Sequence, residues 1–200
     1  MRNLFSLLCV AMFAITASAQ ITWNVKGGAG FATCYGDAEG LSSHFVGKIG
    51  VGIEKPFAPN WSVMPSLEVA WKGAKYDYIE DDYYKTSETL DMFYIQLPIV
   101  AAYRFNLSDS WNMTLKAGPY FAYAISGKMK GDYSMGDYYD SDDFDVFDDG
   151  DAKRFDLGLD FGVDFEYHRF VLGAEYELGL TEFSEGLKNA AAYVTIGYKF

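Results

Sequence analysis

The sequence predicts an all-β fold, an eight-stranded antiparallel up-and-down β-barrel that crosses a membrane. Three observations predict it. Apolar and polar residues alternate with period two in eight separate stretches, the connections between them are alternately short and long, and aromatic residues gather at the stretch ends. With 18% aromatic residues and 20 glycines, the composition suits strands whose backbones approach closely.

The first element is a leader. Arg2 supplies a positive start, Leu4 to Ile15 is an apolar run, and Ala17-Ser18-Ala19 is a small-x-small cleavage pattern. The run is shorter than the roughly 20 residues of a spanning helix, so residues 1–19 read as a signal peptide cut before Gln20, and 20–200 as the barrel domain. Cys9 sits too early in the apolar run for a lipoprotein cysteine. Removing 19 of the 200 residues leaves 181, enough for one domain, with Cys34 as its single cysteine and no internal disulfide. Removing Arg2 moves the formal charge from −12 to −13. That balance excludes nucleic acid, whose phosphates demand Lys and Arg.

The predicted strands are Ile21–Thr33, Phe45–Lys55, Trp61–Ala74, Thr89–Phe105, Trp111–Ser126, Arg154–Tyr167, Phe170–Leu180 and Ala190–Phe200. In the sixth, Phe155, Leu157, Leu159, Phe161, Val163, Phe165 and Tyr167 share one face, and Asp156, Gly158, Asp160, Gly162, Asp164 and Glu166 the other. Connections after the second, fourth and sixth strands are short ("PFAPN", "NLSDS", "HR"), and the others are longer. Both termini therefore lie at the short-turn end, as an even strand number requires.

Alternation alone does not say which face is inside, since a soluble lipocalin-like barrel alternates equally well. The polar face, however, is rich in glycine (Gly28, Gly50, Gly118, Gly158, Gly162, Gly173), which suits a narrow lumen better than a solvated exterior. Trp23, Trp61, Trp111, Phe170, Phe105, Tyr167 and Phe200 mark one end, and Trp71, Phe31, Phe45, Tyr123 and Phe155 the other, as two interfacial girdles would. The final strand, with Val194, Ile196, Tyr198 and Phe200 at two-residue steps, resembles the C-terminal signal of outer-membrane barrels. It is expected to close the barrel against the first strand and to be read by the barrel assembly machinery.

The stretch "FYIQLPIVAAYRFNLSDSWNMTLKAGPYFAYAISGK", together with "RFDLGLDFGVDFEY", resembles the PorT-like, porin-family outer-membrane β-barrels. The resemblance implies an eight-stranded barrel in the outer membrane of a diderm (Gram-negative) bacterium, in contact with outer-membrane lipid. Some relatives are linked to secretion, but these are scaffold motifs and assign no such role.

On this register Lys26, Lys48, Lys72, Arg104, Lys116, Arg154 and Lys199 face the lumen, as do Glu54, Glu68, Asp156, Asp160, Asp164, Glu166, Glu175 and Glu177. Charges in so narrow a space must be paired. They read as a structural plug of ion pairs rather than an ion path, with Asp160 and Asp164 expected to hold basic partners on facing strands. Residues 75–88 and 127–153 read as acidic, aromatic loops that are solvated, mobile and able to contact a surface ligand, with nine aspartates between Asp132 and Asp151. Carboxylates of this kind can ligate calcium, but "DVFDDGDAKRFD" fails the EF-hand pattern at its third position, Phe147, and lacks the closing Glu.

For catalysis, His44 follows Ser42 and Ser43, residue types a barrel lipid hydrolase would use, but adjacent Ser and His do not make a triad and the sequence identifies no acid partner. His168 reads as a turn residue. No catalytic, cofactor-binding or metal-binding residue is therefore assigned. The expected role is structural or surface-interacting and non-enzymatic. A lipid hydrolase and a narrow channel are the alternatives.

Overall fold

The computed structural model describes residues 21–36, 41–81, 84–135, 138–147, 152–184 and 186–200. The expected leader, residues 1–19, lies outside them. Ten strands are present: β1 (Thr22–Gly36), β2 (Leu41–Ser42), β3 (His44–Ala58), β4 (Trp61–Asp81), β5 (Tyr84–Asn106), β6 (Trp111–Met135), β7 (Tyr138–Asp145), β8 (Phe155–Tyr167), β9 (Phe170–Gly179) and β10 (Leu187–Lys199).

Eight of them close a barrel in the cyclic order β1-β3-β4-β5-β6-β8-β9-β10, each neighbouring pair antiparallel. Closure comes from β10 running back along β1, from Asn24 opposite Lys199 to Gly36 opposite Leu187. The Phe200 N–H donates to the Trp23 carbonyl at 2.9 Å, so the pairing continues to the last residue. No edge is left unpaired around the ring. β2 pairs with β4 beyond the top of β3, and β7 pairs with the outer part of β6.

Because successive side chains point to opposite faces, each strand carries one set outward and one inward. Ile49 and Ile196 are 67% and 69% exposed, while Lys48 and Glu68 on the other face are 5% and 1% exposed. The apolar set is outside and the charged set inside, the inverse of a soluble ligand-binding barrel. The exposed rings pair across strands at the short-turn end: Trp111 with Tyr167 (4.8 Å), Trp61 with Tyr103 (5.0 Å) and Phe170 with Tyr198 (5.3 Å). At the other end Phe31 meets Phe45 at 5.9 Å. Trp71 departs from the expected girdle pattern. It is half-buried, stacked on Phe93 at 5.8 Å, and its indole N–H donates to Asp91.

The structure corrects the two acidic segments. Residues 75–81 continue β4, 84–88 begin β5, 127–135 continue β6, and 138–145 form β7. They are hairpin extensions of the barrel wall, not loops. In water an Asp on a strand costs little, and the interspersed Tyr and Thr favour extended backbone. A tilted strand needs only about 9–11 residues to cross a membrane. β4, β5 and β6, at 21, 23 and 25 residues, exceed that, and the excess lies at the long-loop end.

Candidate functional site

The inward-facing residues stack in tiers along the barrel axis. At the short-turn end Arg104 (β5) reaches Glu54 (β3) at 2.7 Å and Glu166 (β8) at 3.4 Å. Lys199 (β10) joins the same two carboxylates, at 2.8 Å from Glu54 and in contact with Glu166. One tier up, Lys26 (β1) bridges Glu68 (2.8 Å) and Glu175 (2.9 Å), and Lys116 (β6) bridges Asp164 (2.8 Å) and Glu175 (2.7 Å).

Lys48 (β3) stands between this tier and the next. It meets Glu68 at 3.4 Å, Glu177 at 2.9 Å and Glu175 in direct contact. Glu68, Glu175 and Glu177 converge closely enough to hold a metal ion. The Lys48 ammonium occupies that convergence, however, and supplies the positive charge the three carboxylates need. The group is an ammonium cage.

Above it Lys72 (β4) pairs with Glu177 at 2.9 Å and lies 3.6 Å from Asp156. Its ammonium sits over the Tyr120 ring, 4.0 Å from the centroid. Gln96 donates to Glu177 (2.7 Å), Tyr120 to Asp156 (3.0 Å), and Asn189 to both Asp156 and the Tyr94 hydroxyl (3.2 Å each). These neutral partners were missed in the sequence, although each shares the inward parity of the charged set.

The glycines make the room. A Cβ on Gly162 would lie 2.4 Å from Lys116 Cε, and one on Gly158 would lie 2.4 Å from the Tyr120 ring. Long side chains from one wall lie flat against glycines of the next, as a narrow lumen requires.

Two expected members differ. Arg154 precedes β8 and is half-buried, with its guanidinium 4.6 Å over the Phe147 ring at the outer end, outside the tiers. Asp164 has its lysine, but Asp160 has no ion-pair partner among the described residues, and its Oδ1 accepts no hydrogen bond. Lys116 lies nearer Asp164, and Lys26 and Lys48 are drawn to Glu68, Glu175 and Glu177. Asp160 instead lines a void of about 40 Å³ with Lys26, Lys116 and Asp164.

Over the upper tier the interior turns apolar. Met92, Tyr94, Leu90, Ala74, Ala122, Ala124, Val146 and Phe183 form a buried cluster toward the long-loop end.

His44 does have an acid neighbour. Its Nε2 lies 2.9 Å from Asp91 Oδ1, and Asp91 also accepts from Trp71 Nε1 (3.1 Å) and Lys130 Nζ (3.2 Å). Neither Ser42 nor Ser43 hydrogen-bonds His44 among the described residues. Three donors around one carboxylate make a clasp joining β3, β4, β5 and β6. His168 sits in the β8–β9 turn at a positive φ of 54°.

The family model described as outer membrane protein beta-barrel domain matches residues 16–185. No curated protein matches the chain. Solved structures of similar shape include Ail of Yersinia pestis (14% identity, 92% of this chain and 100% of that one, TM-score 0.43). Another is Neisserial surface protein A (10% identity, 89% and 97%, TM-score 0.44). A third is OprG of Pseudomonas aeruginosa (13% identity, 91% and 97%, TM-score 0.42).

Proposed function

Since the chain belongs to the outer-membrane β-barrel family and resides in the outer membrane of a Gram-negative bacterium, we propose that it is a non-catalytic barrel with a structural or surface-interaction role, its lumen plugged by ion pairs. The observation that carries this reading is the unbroken column from Arg104 and Lys199 up to Lys72, in which each of six cations contacts carboxylates from at least two other strands. The void within it has room for about one or two waters, too little for a hydrated ion path.

The surface role rests on the hairpin extensions of β4 to β7. They stand beyond the length a bilayer needs, and they carry the acidic and tyrosine-rich residues of segments 75–88 and 127–153. The His44–Asp91 pair supplies part of a hydrolase constellation, but that carboxylate is already shared by Trp71 and Lys130. The clasp reading accounts for all three contacts.

The plug is tested by reconstituting the protein in a planar bilayer. Little or no steady conductance is expected. Large, stable conductance in the unmutated protein would overturn the plug and establish the channel alternative.

A further inference from the structure

The apolar upper interior is not filled. A cavity of about 220 Å³ opens there, at the long-loop mouth of the barrel. One wall is a direct cross-strand row, Ala74 opposite Leu90 and Leu90 opposite Met129. The facing wall carries Cys34, which pairs with Asn189, and Leu187, which pairs with Gly36. Tyr76 and Glu88 lie among the lining residues as its polar members.

The cavity is blind. Beneath it lie Met92 and Tyr94, fully buried, and beneath those the Lys72–Asp156–Glu177 tier. A molecule entering from outside can go no further. Protein interiors are ordinarily close-packed, and apolar voids of roughly 150 Å³ take up benzene-sized guests.

We propose that this cup is a binding site for a small, uncharged, apolar molecule, about the size of one aromatic ring or a short alkyl chain. The lining has no cation to meet an anionic head group. Glu88 lies in the wall, and the acidic extensions of β4 to β7 flank the mouth. A carboxylate of the same chain length is repelled where the alcohol is admitted. The site is separate from the ion-pair column, so a conducting barrel would leave it untouched.

The test uses full-length protein purified from the outer membrane into detergent and follows alkylation of Cys34 by N-ethylmaleimide, read on the peptide that contains it. Cys34 is 5% exposed and lines the cavity. At about ten times its dissociation constant, benzene or 1-hexanol should slow the reaction about tenfold by mass action, and hexanoate at equal concentration should not. Ala74→Leu fills the cup and should abolish the protection while leaving the boiling-sensitive gel shift of a folded barrel intact. Methyl NMR of the unmutated protein supplies a readout independent of that variant: benzene should move the Met129, Leu90 and Leu187 methyl signals and spare Ile49 and Ile196. Protection that persists in Ala74→Leu, equal protection by hexanoate, a Cys34 that no reagent reaches, or methyl shifts spread over the lipid face would each overturn the proposal.

Discussion

Up to and including the tier of Lys72, the inward positions of this barrel carry Lys26, Lys48, Arg104, Lys116 and Lys199 among eight carboxylates. Above it, the same parity carries Ala74, Leu90, Met92 and Ala124. Both halves are buried, but the lower draws charged residues from all eight barrel strands, whereas the upper is lined mainly from β1, β4, β5 and β6. The lower half is held by geometry: each charge has been taken out of water and is offset only if partners from other strands arrive at the right height. The upper half is held by volume, where shape matters more than direction. A single period-two pattern can thus build two interiors with different rules of tolerance.

The largest effect that would sharpen this contrast is expected at Lys48. Lys48→Met removes the ammonium from among Glu68, Glu175 and Glu177, whose oxygens lie within 4.8 Å of one another. A loss of about 3–5 kcal/mol is expected, since buried like charges are left uncompensated. Denaturant unfolding of the refolded barrel measures it, and a loss below about 1 kcal/mol would mean that the lower half is not held by its pairs.

In the upper half, Met92→Ala should cost about 2–4 kcal/mol through lost contacts and the cavity left behind. Met92→Leu, which keeps volume, should cost less than about 1.5 kcal/mol. Equal losses for the two would break the volume rule, because shape would then count for as much as size.

The smallest effect is expected at Asp160. With no ion-pair partner and an unpartnered Oδ1, its replacement by Asn should change stability by no more than about 1 kcal/mol in either direction. A loss comparable to that of Lys48→Met would show that Asp160 belongs to the pairing network after all.

Much of this was legible in the sequence. Parity separated Lys48, Glu68 and Glu177 from Ile49 and Val194, because side chains alternate strictly along a strand, and the glycines of the polar face with the aromatic girdles said which set faces the lumen and which the lipid. The short turns at Asn60 and His168 marked the end of the barrel at which Trp23 and Phe200 meet. The predicted last strand begins only at Ala190, whereas β10 starts at Leu187, and nothing local announces that Asn189 will reach Asp156 on β8.

The sequence by itself determined the eight strands of the ring, the two faces of each and their closure, since these follow from periodicity and turn spacing along the chain, but not the added β2 and β7. The tertiary structure alone decided which lysine meets which carboxylate. In a tilted barrel the stagger between neighbouring strands sets the height of every inward side chain. That height brings Lys116 to Asp164 and leaves Asp160 facing a void, and it puts Asp91 within reach of His44, 47 residues away in the chain. The same stagger decided where the charges stop and the open apolar cup begins.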